Sequence, residues 1–282
     1  MVDICKTVFV IAHFHENGRV ALNTHALVEE MAKSSHKIVF VSTNLNQDEA
    51  SRLKKYAVVI QRENTGYDFW SYKLGIDQLG DLSQFDRIVI CNTSFISLDP
   101  SFLVQSFTEP IDQVGLRGLT RCGEMGEHIQ SYWLSFEGNR LLMSPEFAKW
   151  WETMLPLNDR NENINKYEVG ISGYFARHGY PLTTLFQETA NQLLIMLARA
   201  ISRGSVYFNL ENTLQIVPLD LQYALDLNPT IFGWDFILDQ IKILKVEQVK
   251  YNYGHQFMSL KISALSQDNI ALISDAIGEL NK

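Results

Sequence analysis

Four short runs of β-branched and aromatic residues recur within the first 92 positions, separated by helix-patterned segments. Thr7 to Phe14 (TVFVIAHF), Lys37 to Ser42 (KIVFVS), Ala57 to Gln61 and Arg87 to Asn92 (RIVICN) read as strands. The first two are apolar almost throughout, which predicts strands covered on both faces. After the Asn17-Gly18 turn, Val20, Leu22, Leu27, Val28 and Met31 recur at helical spacing to about Ser34. Asp48 to Tyr56 and Phe69 to Leu79 supply two more helices. Strands alternating with helices require right-handed crossovers, so the chain is expected to build an α/β fold around a mainly parallel, Rossmann-like sheet. Ligands of such sheets sit beyond the carboxyl ends of the strands.

The pattern changes after Pro100. Phe102 to Phe107 reads as a short helix, and Val114 to Thr120 and Ile129 to Phe136 read as strands. Helices follow at Pro145 to Met154, Glu162 to His178 and Thr189 to Arg203. The Glu162 helix is closed by Gly179 and Pro181. Ile231 to Ile241 is a further helix, Ile243 to Tyr251 a strand or extended arm, and Ser266 to Leu280 a C-terminal helix.

Composition narrows the function classes. The 282 residues are 46% apolar and 20% charged, as in an ordinary globular chain. A net charge of −8 gives no overall basic field for nucleic acid. No apolar run is long enough for a membrane span. Asp3 and Lys6 interrupt any signal-like stretch, so a cytoplasmic protein is expected. Cys5, Cys91 and Cys122 are too scattered for a disulfide framework or a zinc site. GxGxxG, P-loop and GxSxG motifs are missing, which argues against dinucleotide, P-loop and α/β-hydrolase chemistry.

The run Glu63 to Lys73 (ENTGYDFWSYK) joins a strand to a helix and carries aromatic and acidic side chains together. Glu63, Asn64, Gly66, Tyr67 and Asp68 are its candidate binding residues, with Gly66 letting backbone approach a ligand. His13 and His15 share a face at the end of the first strand, and His13 is the candidate ligand contact. A packed loop pair is the plainer alternative. Asn92-Thr93-Ser94 follows the fourth strand. Asn92 and Ser94 could bond a phosphate or ribose, although a turn bonded to its own side chains is equally consistent. His128, Gln130 and Ser131 lead into Tyr132-Trp133 and suggest a pocket wall, with His128 and Gln130 on one face. Glu168, near a helix start, is the candidate general base, against a plain capping role. Glu188 reads as a cap. Lys242 and Lys245 flank an apolar pair and could meet a diphosphate, but a solvated face is the commoner fate of two lysines.

Read together, ENTGYDFWSYKLGI (63–76), FDRIVICNTSFISL (85–98), GLTRCGEMGEHIQSYWLSF (118–136), SPEFAKWW (144–151), YEVGIS (167–172) and NPTIFGW (228–234) resemble the rhamnan synthesis F family of bacterial polysaccharide assembly. The resemblance implies one GT-A-like domain over residues 1–282. A nucleotide-sugar-binding half would span 1–98, and an acceptor half with C-terminal helices 99–282. It also implies sugar transfer from a nucleotide-activated donor (dTDP-rhamnose, or a UDP- or GDP-sugar) to a glycan or lipid-linked glycan. That work would be done in the cytoplasm at the inner face of the membrane, beside the membrane or other glycosyltransferase domains. The family tends to have Asn-Asp-Ser where this chain has Asn92-Thr93-Ser94, so a magnesium or manganese ion is disfavoured and no metal ligand is assigned. It tends to have a small residue where this chain has Trp70, which would reshape the donor pocket. Inverting GT-A enzymes are similar in another respect: their base is followed by an arginine and Gly-Tyr, as Glu168 is by Arg177 and Gly179-Tyr180. Two other functions fit parts of the sequence. One is a non-catalytic nucleotide-sugar or glycan-binding module, and the other a metal-dependent hydrolase using His13, His15 and His128.

Overall fold

A computed structural model describes residues 5–202, 227–251 and 258–278. Seven strands form one sheet in the order β10-β6-β9-β4-β1-β2-β3. They are β1 (Thr7–His13), β2 (Lys37–Ser42), β3 (Val58–Gln61), β4 (Arg87–Asn92), β6 (Gly115–Gly118), β9 (Trp133–Glu137) and β10 (Leu182–Thr184). Among these described strands β9 alone runs against its neighbours, pairing antiparallel with β4 and β6. The expected α/β fold with a mainly parallel, helix-flanked sheet is therefore the observed one.

The strand patterns account for the layers. β1 is flanked by β2 and β4, and all seven of its residues are buried. Alternation sends Val8, Val10 and Ala12 to one face, with Val39, Val41, Ile88 and Ile90. Phe9 and Ile11 go to the other, with Phe40, Val89 and Cys91. The helices α1 (Leu22–Ser34) and α3 (Tyr67–Asp77) cover opposite faces: Leu27, Val28 and Met31 join the second cluster, and Phe69, Tyr72 and Ile76 the first. Gly75 brings α3 close to the sheet, since a Cβ there would lie 2.2 Å from Val10 Cγ1.

Three departures from the sequence pattern shape the functional region. The expected strand Ile129 to Phe136 is broken into β8 (His128–Ile129) and β9, with Gln130–Tyr132 leaving the ladder between them. At the break Gln130 N–H donates to the Thr120 carbonyl and Ser131 N–H to Glu168 Oε1. The expected Glu162 to His178 helix contains a turn of π-helix, Ile164–Val169, between Arg160–Asn163 and Gly170–Arg177. The expected arm Ile243 to Tyr251 is a three-residue strand, β11 (Ile243–Lys245), followed by the helix Val246–Tyr251. β11 pairs antiparallel with β5 (Phe95–Ser97), a strand too short to read in the sequence. That pairing returns the C-terminal segment to the end of β4, beside a core of Ile96, Trp234, Leu238 and Leu244. Arg203 and the end of the Ser266 to Leu280 helix lie outside the described residues. Cys5, Cys91 and Cys122 form no disulfide.

Candidate functional site

A cleft of about 240 Å³ opens at the carboxyl edge of the sheet. The start of α3 brings Tyr67 and Asp68 to it, the loop after β4 brings Asn92 and Ser94, and the break between β8 and β9 brings Gln130, Ser131 and Tyr132. The π-turn brings Glu168, and β11 brings Lys245.

Hydrogen bonds join most of these side chains. Asn92 Nδ2 donates to Asp68 Oδ2 at 2.8 Å. Ser94 donates to Asn92 Oδ1 from N–H (3.0 Å) and Oγ (2.6 Å). Lys245 Nζ donates to Ser94 Oγ at 2.5 Å and stands 4.2 Å from the Tyr132 ring centroid. On the opposite wall, Glu168 Oε1 accepts from Ser131 N–H (3.0 Å) and Oγ (2.9 Å). Tyr72 OH donates to the Ser131 carbonyl at 3.0 Å, holding that residue from behind. Burial shifts two of the charges: it raises the Asp68 carboxyl above its ordinary range, and it lowers Lys245 to about 8, against the pull of Glu168 and Asp68.

The loop before α3 is rigid. The Arg62 guanidinium donates to the carbonyls of Glu63, Thr65 and Tyr67 and to Ser71 Oγ. Tyr67 OH donates to the Asn158 carbonyl at 3.1 Å. Gly66 (φ +71°) and Tyr67 (φ +51°) are both left-handed, a conformation that costs a non-glycine residue energy. Two such residues in succession turn Asp68 into the cleft.

The cleft collects Tyr67, Asp68, Asn92, Ser94, Gln130, Ser131 and Glu168 from the sequence candidates. The others lie elsewhere. Glu63 and Asn64 are exposed on the loop, outside the cleft lining. Gly66 is buried against Trp70 and Pro156, so its missing Cβ admits protein and not ligand. Trp70 packs against the main core and not on the cleft. His13 is buried, with Nε2 donating to the Arg19 carbonyl (3.0 Å) and Nδ1 against Ser42 Oγ (2.9 Å). It lines a separate recess with His15, Arg19 and Thr93. His128 lines a third recess with Arg121 and Glu188, apart from Gln130, because the strand that would have aligned them ends at Ile129. The hydrolase reading therefore loses its histidine set. Glu168 is no cap: it sits within continuous helix and bonds Ser131. Glu188 is not a cap either, since Thr189 and Gln192 close that helix start on each other.

Lys245 is the residue that sequence reasoning undervalued. Its only signal was the Lys242/Lys245 pair, and the structure separates them: Lys242 Nζ bonds the Asp239 carbonyl, away from the cleft. The side chains of the loop after β4 are already engaged. Asn92 Oδ1 already accepts two bonds, Thr93 faces the His13 recess, and an ammonium sits on Ser94. Among the described residues no group of three His, Cys, Asp or Glu side chains is placed to hold a metal ion.

The sequence profile of the rhamnan synthesis protein F (RgpF) family matches residues 38–201, more than half of the chain. The chain belongs to that family. The matched span holds every residue of the cleft named above except Lys245, so the rhamnan synthesis F match and the site largely coincide. A curated protein of Sinorhizobium fredii (strain NBRC 101917 / NGR234), named Uncharacterized protein y4gN, is 25% identical over 166 residues, covering 56% of this chain and 43% of that protein. The chain thus matches less than half the length of that relative. Mannosyltransferase PcManGT from Pyrobaculum calidifontis, solved with GDP-Man and Mn2+, is similar with a TM-score of 0.40 and 10% identity, over 99% of this chain and 88% of that one. Glycosyltransferase GlyE from Streptococcus pneumoniae TIGR4 gives 0.40 and 15%, over 76% and 53%. At these scores neither bears on what this rhamnan synthesis F chain binds.

Proposed function

We propose that this chain transfers a sugar from a nucleotide-activated donor to a hydroxyl of a growing bacterial cell-surface glycan, with inversion and with Glu168 as base. The observation that carries the reading is the setting of Glu168. One carboxylate oxygen is pinned by two Ser131 donors on the wall of a cleft at the sheet's ligand edge, leaving Oε2 to receive a proton. In such a transfer the acceptor oxygen bonds the anomeric carbon as the bond from that carbon to the diphosphate oxygen breaks. The hydroxyl proton passes to Glu168, and the bonding pair leaves with the diphosphate. Asp68, oriented by Asn92, bonds a donor hydroxyl. Tyr67 packs on the donor, and Gln130 and Ser131 face the sugar or acceptor. The cleft is below the ~300–1,000 Å³ of common ligand pockets, so it suits the sugar and phosphate part of a donor.

Family membership favours a rhamnosyl donor such as dTDP-rhamnose over other UDP- or GDP-sugars. A lipid-linked acceptor would place the work at the inner face of the membrane, by peripheral association. No helix among the described residues is long and apolar enough to cross a membrane. Incubation with labelled nucleotide sugars and a glycan acceptor tests the reading. Transfer supports it, and donor binding with neither transfer nor hydrolysis supports a binding module instead. Thr93, neutral and turned from the cleft, is the observation that favours the module.

A further inference from the structure

The C-terminal segment puts a cation into the cleft by a fixed route. β11 is held in register on β5, with Ile243 opposite Ser97, Leu244 opposite Ile96 and Lys245 opposite Phe95. Ile243 and Leu244 are each about 1% exposed and enter different cores, so the strand cannot slide without unburying both. Lys245 is thereby delivered to the loop after β4, its Nζ on Ser94 Oγ and over the face of the Tyr132 ring. Asp68, Glu168 and Glu247 also line the cleft, as does Arg160. Three carboxylates alone would repel a diphosphate, and of the two cations Lys245 is the one hydrogen-bonded to the post-β4 loop.

We infer that Lys245 holds the donor's diphosphate, occupying the position where a carboxylate-bearing loop would carry a divalent cation. The inference rests on the transfer reading above. An ammonium on a flexible stem is a compact point charge with three donors. Ser94 takes one of them and orients the others into the cleft. As the bond from the anomeric carbon to the diphosphate breaks, the electron pair collects on the leaving oxygen, and a fixed cation there lowers the energy of that charge. The ion pair seals no proton or redox balance of its own, so the step needs no other co-reactant.

The test is calorimetric titration of the full chain with dTDP, UDP and GDP in EDTA, for the wild type, Lys245→Met and Lys245→Arg, with the matching nucleosides as second probes. At least one diphosphate should bind the wild type without metal. Lys245→Met should weaken it by about 10- to 100-fold, the scale of a charge-assisted hydrogen bond, and Lys245→Arg should keep most of the affinity. Nucleoside binding should be equal in all three. Undiminished diphosphate binding by Lys245→Met would overturn the inference, and so would wild-type binding that vanishes in EDTA and returns with Mn2+. Either result leaves the transfer reading standing. Failure of all three diphosphates to bind, with and without Mn2+, overturns both. Methionine keeps the half-buried stem apolar, and Lys245→Gln serves the same comparison should the Met variant melt early.

Discussion

Glu168 grips Ser131 twice through a single oxygen: Oε1 accepts the backbone N–H at 3.0 Å and the side-chain Oγ at 2.9 Å. The grip sits at the break between β8 and β9 and holds one carboxylate oxygen on the cleft wall. Separating the grip from proton transfer gives a direct prediction. Glu168→Gln keeps an acceptor for both Ser131 donors but cannot take a proton. Sugar transfer should fall about 10²-fold or more, with the melting temperature nearly unchanged. Near-normal turnover in that variant would remove Glu168 as the base.

Lys245 should impose a pH limit on diphosphate binding. Burial lowers its pKa to about 8, so it is charged below that pH and neutral above it. The groups around it are Asp68 from α3, Glu168 from the π-turn, Glu247 from the helix after β11, Arg160 across the cleft and the Tyr132 ring. Diphosphate affinity of the wild type should therefore decline as pH rises through about 8, while Lys245→Arg stays flat to pH 9 or beyond. Calorimetry between pH 7 and 9 reads the difference; parallel declines would assign the titration to the ligand.

Gly66 and Gly80 share a left-handed φ in different surroundings, +71° and +72°. A Cβ at Gly66 would lie 2.6 Å from Trp70 Cβ and 2.9 Å from Pro156 Cα, whereas at Gly80 nothing lies within 4 Å. Gly80→Ala should cost on the order of 1 kcal/mol from conformation alone. Gly66→Ala should cost at least about 1 kcal/mol more, since backbone must shift. Urea unfolding of both variants measures the gap, and equal losses would show that the loop yields freely.

His13 should contribute to acid sensitivity. Burial lowers it from 6.5 to about 4, so the folded state binds its proton less readily than the unfolded chain. Its contribution is present above the unfolded pKa and is lost as pH falls from about 6.5 through about 4. The total is on the order of 3 kcal/mol. His13→Gln, which can still donate to the Arg19 carbonyl, should flatten the stability profile over that window. An unchanged profile in urea melts at pH 4 to 7 would place the sensitivity elsewhere.

The legible part of this protein is the part written in local pattern. β1, β2 and β4 announce themselves because strands buried on both faces must be apolar throughout, and α1 and α3 because their apolar residues recur on one side. Asp68, Asn92 and Ser94 were readable because polar residues follow strands at the sheet's carboxyl edge, and Ser131 and Glu168 because each stands as a polar group among aromatic and apolar neighbours. His13 and His128 carried the same kind of signal, yet they occupy separate recesses. Burial and neighbouring carbonyls, which no single position reveals, took both rings.

Sequence alone determined the α/β layering, the family and most of the acids and amides of the cleft, since hydrophobic period and short-range chemistry act within a few residues. Tertiary structure decided which of those groups meet. Glu168, on the π-turn, meets Ser131 from 37 positions away. The lysine on Ser94 arrives from 151 positions away on a strand of three residues, whose partner β5 is equally short. Strands that brief carry no period to read. Their pairing is set by the burial of Ile243 and Leu244 in two cores that exist only once the chain has folded.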